Sequence, residues 1–114
     1  MGNSKKINLK NKNISIIGMG ETGQGAALLA KKLGANVLIS DSSKITEKMF
    51  NQKARNMGIE VETGGHTNKI YNSDLWILSP GVPSNNNIIK NAIDQGIKIV
   101  SEIEFASWFT RKPI

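Results

Sequence analysis

The chain has 114 residues, 39% of them hydrophobic, and 15 lysines and arginines against 9 acidic residues leave a formal net charge of +6. That length supports one domain with a real core but is short for an enzyme that must hold two or three substrates. Cysteine is absent, which excludes a disulfide framework, a thiolate metal site and a cysteine nucleophile, and agrees with a reducing cytoplasm. No apolar run approaches the ~20 residues of a membrane span, so a soluble chain without a membrane partner is expected. The positive charge is diffuse. Lys5, Lys6, Lys10 and Lys12 lie near the amino terminus, and the other basic residues are dispersed among Glu and Asp without aromatic interleaving, so no nucleic-acid partner is expected.

In chain order, residues 1–12 read as a flexible polar leader, with no apolar core of a signal peptide. Ile14-Ser15-Ile16-Ile17 is almost continuously apolar, the pattern of a central strand covered on both faces. It runs straight into Gly18-Met19-Gly20-Glu21-Thr22-Gly23, then into a predicted helix over about Thr22 to Leu33 with Ala26, Ala27, Leu29, Ala30 and Leu33 as its apolar positions. Gly34 ends that helix and leads into a second strand, Val37-Leu38-Ile39, followed by Ser40-Asp41-Ser42-Ser43. A second helix, about Thr46 to Met57, carries a core-facing stripe of Met49, Phe50, Ala54 and Met57; Gly58 then leads into the alternating strand Ile59-Glu60-Val61-Glu62. Thr63 to Asn68 is turn-rich, and a short helix is expected near Lys69 to Tyr71. Leu75-Trp76-Ile77-Leu78 is the second continuously apolar strand, with Trp76 in the core, and it ends in Ser79-Pro80-Gly81-Val82-Pro83. A helix over about Asn87 to Gln95, expected to bury Ile88, Ile89, Ala92 and Ile93, passes through Gly96 into Ile97-Lys98-Ile99-Val100. A last helix is predicted over about Glu102 to Arg111, with Ile103, Phe105, Ala106, Trp108 and Phe109 apolar.

Three helix-glycine-strand joints imply alternating α and β elements and a parallel sheet. The continuously apolar strands belong at the centre and the alternating ones at the edges. The expectation is therefore an α/β domain over residues 13–114, a five-stranded parallel sheet in the order 3-2-1-4-5 with helices on both faces, Rossmann-like.

Such a sheet binds ligands outside the carboxyl ends of its strands, where the order reverses, here between strands 1 and 4. Gly18 allows the tight turn, Gly20 lets a diphosphate approach the backbone, and Gly23 lets the helix lie close on the strand. The free N–H groups and dipole of the helix start favour phosphate. Asp41 lies eighteen residues beyond Gly23, where a carboxylate accepts hydrogen bonds from a ribose or a base N–H, or alternatively caps a turn. Ser79-Pro80-Gly81 supplies a hydroxyl, N–H groups and a rigid turn suited to a diphosphate, or is a plain β-to-α turn. His66, the single histidine, has no acid or metal partner visible in the sequence and reads as a loop residue rather than a general base. Glu102 and Glu104 suit the dipole of the last helix, with Glu102 within reach of the cleft. The sequence holds no G-x-x-x-x-G-K-[ST] loop, nucleophile elbow or metal-ligand cluster, so the chain is expected to bind a nucleotide without transforming it.

Gly18 to Gly23 after a strand, Asp41 after strand 2, Ser79-Pro80-Gly81-Val82-Pro83 after strand 4, and Gly96 to Glu104 near the end resemble the amino-terminal domain of the Mur ligases, in particular the members that add D-glutamate. The resemblance covers about Lys12 to Ile114. It implies a domain that holds the UDP part of UDP-N-acetylmuramoyl-L-alanine and needs no cofactor of its own. The intact ligase is expected to be a cytoplasmic enzyme of peptidoglycan synthesis, with ATP and Mg2+ on a central domain and a third domain holding the amino acid. There the substrate carboxylate would be phosphorylated and the resulting acyl phosphate attacked by the amine of D-glutamate. Those domains would follow Arg111-Lys112-Pro113-Ile114, so this chain alone is expected to be inactive.

Carried over by position, the resemblance places Glu21 and Thr22 beside the uracil and diphosphate, Asp41 and Ser42 on the uracil side, and Ser79, Pro80 and Gly81 on the diphosphate side. Two departures stand out. Ser42-Ser43-Lys44 replaces the family's Thr-Arg after the aspartate, and Glu21 puts a carboxylate where the pattern is often apolar. The competing readings are an NAD(P)-binding domain of an oxidoreductase or ligand-sensing regulator, with Asp41 on the adenosine ribose, and an assembly module with a vestigial pocket. Trp108 and Phe109 are expected to form an apolar patch that a following domain covers.

Overall fold

The computed structural model describes residues 8–18, 21–42, 48–80, 82 and 87–109, with the side chains of residues 21–23 and 48–51 set aside. The strands β1 (Asn13–Ile17), β2 (Asn36–Ser40), β3 (Glu60–Glu62), β4 (Leu75–Leu78) and β5 (Lys98–Ser101) are all parallel and lie in the order β3-β2-β1-β4-β5, the order expected from the sequence. Ile14 to Ile17 of β1 and Leu75 to Ile77 of β4 are buried, because helices cover the sheet on both sides of these central strands. Glu60 of β3 and Lys98 and Ser101 of β5 are exposed, as the alternating edge strands require.

Among the described residues, four helices complete the layers, α1 (Glu21–Lys32), α2 (Lys48–Asn56), α3 (Asn87–Asp94) and α4 (Glu102–Ser107), with a 3₁₀ turn at Asn68–Tyr71. On one face, Ile14, Ile16, Val37, Ile39 and Ile77 form a core with Ala26, Ala27 and Ala30 of α1, Ala54 of α2 and Phe105 of α4. The alanine stripe has no bulk to hold the helix off the strands, so α1 lies close over β1 and β2. On the other face, Ile17, Leu38 and Trp76 pack with Ile70 of the 3₁₀ turn and Ile89 and Ala92 of α3. Trp76, fully buried, donates its indole N–H to the carbonyl of Ile70 at 2.6 Å, and its ring lies 5.7 Å from that of Tyr71. Burying an indole leaves its single donor in need of a partner, and the 3₁₀ turn supplies one. No helix among the described residues is long and apolar enough to cross a membrane.

Several expectations are corrected. Leu33, Met57 and Ile93 do not face the core: they are 37%, 37% and 62% exposed. Leu33 and Met57 immediately precede Gly34 and Gly58, which take the positive φ that ends a helix, and the chain turns there. The inward position passes to the residue after each glycine, Ala35 and Ile59, both 1% exposed. In α3 the buried stripe centres on Ile89 and Ala92 and leaves Ile93 to solvent. The last helix is shorter than Glu102 to Arg111: α4 ends at Ser107, Trp108 and Phe109 follow in a turn, and residues 110 and 111 lie outside the described residues. The leader is docked from Leu9 onward, because Leu9 is buried, its carbonyl accepts the Lys12 N–H at 3.0 Å, and the Asn11 N–H reaches the Gly34 carbonyl at 2.9 Å.

Candidate functional site at the carboxyl ends of the strands

β1 and β4 are neighbours in the sheet, so the loops leaving their carboxyl ends start side by side. Gly18 follows β1 with φ of +95°, and a Cβ placed there would lie 2.7 Å from the Ser79 Cβ. Only glycine lets the two turns approach this closely. The Ser79 N–H donates to the Ile17 carbonyl at 2.9 Å, and the Val82 N–H closes a turn onto the Ser79 carbonyl at 3.1 Å. α1 begins at Glu21, so Glu21, Thr22 and Gly23 form its first turn, where backbone N–H groups lack intrahelical acceptors. The helix start therefore stands over the switch point of the sheet.

From the other side, β2 delivers Ser40 and Asp41. The Ser40 carbonyl accepts the Gly18 N–H at 2.8 Å, tying the glycine turn to the end of β2. The Asp41 N–H donates to the Glu62 carbonyl at 3.0 Å, and the Asp41 carbonyl accepts the Gly65 N–H at 3.3 Å. Asp41 is half-buried, and Ser42 beside it is exposed. The loops of Gly18, Asp41 and Ser79 are thus tied together through chain neighbours: Gly18 bonds to Ser40, which precedes Asp41, and Ser79 bonds to Ile17, which precedes Gly18. Pro80 is exposed on the turn after Ser79. Gly20, Ser43 and Gly81 lie outside the described residues.

Beneath Asp41 is a polar network that the sequence reading missed. Ser40, fully buried, donates its hydroxyl to Glu62 Oε2 at 2.5 Å and lies 2.7 Å from His66 Nδ1. Glu62 also accepts the Thr67 N–H at 3.0 Å and the Thr67 hydroxyl at 2.6 Å. Burial pushes the Glu62 carboxyl up, but the hydrogen bonds from Ser40 and Thr67 and the neighbouring His66 outweigh it, so it sits below its ordinary value of 4.5. His66 is a loop histidine as expected, yet it does have an acidic neighbour, reached through Ser40. The signal lay in strand pairing, since Ser40 and Glu62 are direct partners across β2 and β3.

Glu102 opens α4 at the carboxyl end of β5 and is buried, and the Ser101 hydroxyl caps this helix by accepting the Glu104 N–H at 3.0 Å. A groove of about 450 Å³, lined by Leu9, Ile14, Leu75, Lys98 and Trp108, lies at the amino ends of β1, β4 and β5, the wrong end of the sheet for the switch-point site. Trp108 and Phe109 are half-buried edge-on against Phe105, at centroid separations of 5.8 and 5.2 Å.

Residues 12–101 match a family model described as Mur ligase MurD-like, N-terminal domain. The chain belongs to this Mur ligase family. This MurD-like domain is 44% identical over 104 residues to the UDP-N-acetylmuramoylalanine--D-glutamate ligase of Christiangramia forsetii, covering 90% of this chain and 23% of that protein. It is 43% identical over 108 residues to the enzyme of the same name from Bdellovibrio bacteriovorus, covering 93% of this chain and again 23% of the relative. The chain therefore spans about a quarter of the length of these relatives. Among solved structures, a pseudomurein peptide ligase type C from Methanothermus fervidus superposes with a TM-score of 0.74 at 25% identity, over 90% of this chain and 21% of that one.

Proposed function

We propose that residues 13–114 form the UDP-substrate-binding domain of a peptidoglycan-synthesis ligase that joins D-glutamate to UDP-N-acetylmuramoyl-L-alanine. The contact between Gly18 and Ser79 carries this reading, because it makes one cradle of two turns that each favour phosphate. Gly18, Gly20, Gly23 and the α1 start would hold the diphosphate from one side, and Ser79, Pro80 and Gly81 from the other. Glu21 and Thr22 would lie beside the uracil and diphosphate, and Asp41, Ser42 and Ser43 on the uracil side, with a carboxylate suited to the uracil N–H. Membership of the MurD-like family and the names of the relatives support this ligand over a dinucleotide.

ATP, Mg2+ and D-glutamate would be held by the central and carboxyl-terminal domains of a cytoplasmic ligase that proceeds through an acyl phosphate. The chain contributes binding and no catalytic residue, so alone it is inactive. Calorimetric titration of the chain with UDP-N-acetylmuramoyl-L-alanine, UDP and NADH tests the reading. Heat is expected from the first two and none from NADH; tight NADH binding with no UDP heat would overturn it.

A further inference from the structure

Ser40 has one hydroxyl proton and two polar neighbours. That proton goes to Glu62 at 2.5 Å, so the contact of 2.7 Å with His66 Nδ1 must be donated by the imidazole. Glu62 then accepts three hydrogen bonds, one from Ser40 and two from Thr67, as an ionised carboxylate does. The Thr67 hydroxyl also accepts the Lys69 N–H at 3.3 Å and so caps the 3₁₀ turn, whose Ile70 is fully buried and holds the Trp76 indole. The chain of bonds runs from His66 through Ser40 and Glu62 to the second-face core. Every donor in it has an acceptor.

The geometry points to His66, Ser40 and Glu62 as positioning residues that fix the loop carrying Asp41, with His66 acting through an Nδ1–H donor and touching no ligand. This inference rests on the proposed UDP site. The backbone of the loop hangs on the same residues. Asp41 is held between the Glu62 carbonyl and the Gly65 N–H, and Gly64 and Gly65 take positive φ to turn the chain from Glu62 back to His66. If His66 lets go of Ser40, the segment from Thr63 to Thr67 keeps its Thr67 bonds to Glu62 but loses its side-chain tie to the end of β2, so the Gly65 N–H is held less firmly at the Asp41 carbonyl. A ligand that needs Asp41 in one place then binds only to the fraction of molecules with the loop in place, and the apparent affinity falls by that fraction.

The experiment is titration of the chain with UDP, comparing wild type with His66→Ala, His66→Asn and His66→Gln at a temperature where circular dichroism shows each to be folded. An asparagine amide nitrogen overlays Nδ1 and a glutamine one overlays Nε2. His66→Ala and His66→Gln are expected to weaken UDP binding roughly three- to ten-fold, the range of one net hydrogen bond, while His66→Asn restores most of it. Unchanged binding in His66→Ala, or rescue by Gln and not Asn, would overturn the positioning role and leave the UDP site standing. Absence of UDP binding in the wild type would overturn both. Because the chain has a single histidine, nitrogen NMR gives an independent reading: a proton on Nδ1, hydrogen-bonded to Ser40, is expected, and the signature of that bond should be lost in Ser40→Ala. The Nε2–H tautomer in the wild type would refute the inference.

Discussion

Replacing Gly18 by alanine tests the close approach on which the diphosphate cradle depends. Two costs add. Holding an L-residue at φ of +95° costs roughly 1–2 kcal/mol. The new methyl would also lie 2.7 Å from the Ser79 Cβ, well inside the ~3.5–4.0 Å of a comfortable carbon contact. Ser79 cannot simply rotate away, since its Cβ is fixed by a backbone that donates to Ile17, and such overpacking costs about 1–3 kcal/mol. The expected loss is about 2–5 kcal/mol. Two other glycines separate the terms. Gly96 has φ of +80° with open space around its missing Cβ, so Gly96→Ala should cost only the backbone part, about 1–2 kcal/mol. Gly25, in α1 with nothing within 4 Å, should tolerate alanine with a gain of about 0.5–1 kcal/mol. Urea unfolding followed by circular dichroism orders the three variants at constant slope. A Gly18→Ala loss no greater than that of Gly96→Ala would mean that the two turns slide apart freely, and the argument for a shared cradle would fail.

Trp76→Phe removes an indole N–H that binds the Ile70 carbonyl, but the Ser73 hydroxyl still bonds that carbonyl at 2.9 Å. A loss of about 1–3 kcal/mol is expected, and one above 5 kcal/mol would mean that the 3₁₀ turn is lost as well. The Glu62 carboxyl titrates below its unfolded value of 4.5, so its contribution is fully present above that pH and is lost as pH falls through the folded value. Urea midpoints at pH 7 and pH 3 should fall less between the two in Glu62→Gln than in the wild type; an equal fall would show that this carboxylate does not contribute to acid sensitivity. In the proposed site, Asp41→Ala should weaken UDP binding about ten-fold or more, as loss of a charged hydrogen-bond acceptor does, and an unchanged dissociation constant by calorimetry would remove Asp41 from the site.

The strand order was readable because burial leaves a direct trace in composition. Ile14 to Ile17 and Leu75 to Leu78 are apolar at almost every position, which only a strand covered on both faces can be, while the charges of Glu60 and Lys98 mark the edges. Gly34, Gly58 and Gly96 marked the helix ends because few other residues take a positive φ there. The last turn of each helix was not readable, since whether Leu33 or Ala35 points inward depends on where the glycine swings the chain. Leu9 looked like part of a polar leader because the buried cluster it joins is built mostly from residues distant in sequence.

The same division holds for the site. The sequence determined that a glycine turn, an aspartate and a Ser-Pro-Gly turn follow strands 1, 2 and 4, since each is a local motif after an apolar run. Tertiary structure alone decided that Gly18 touches Ser79 and that Ser40 meets Glu62 and His66. Those contacts join residues 22 to 61 positions apart, and they exist because parallel pairing sets β1 beside β4 and Ser40 opposite Glu62. A pattern of residue types records which face of a strand is buried, but not the register that brings two strands' polar ends together.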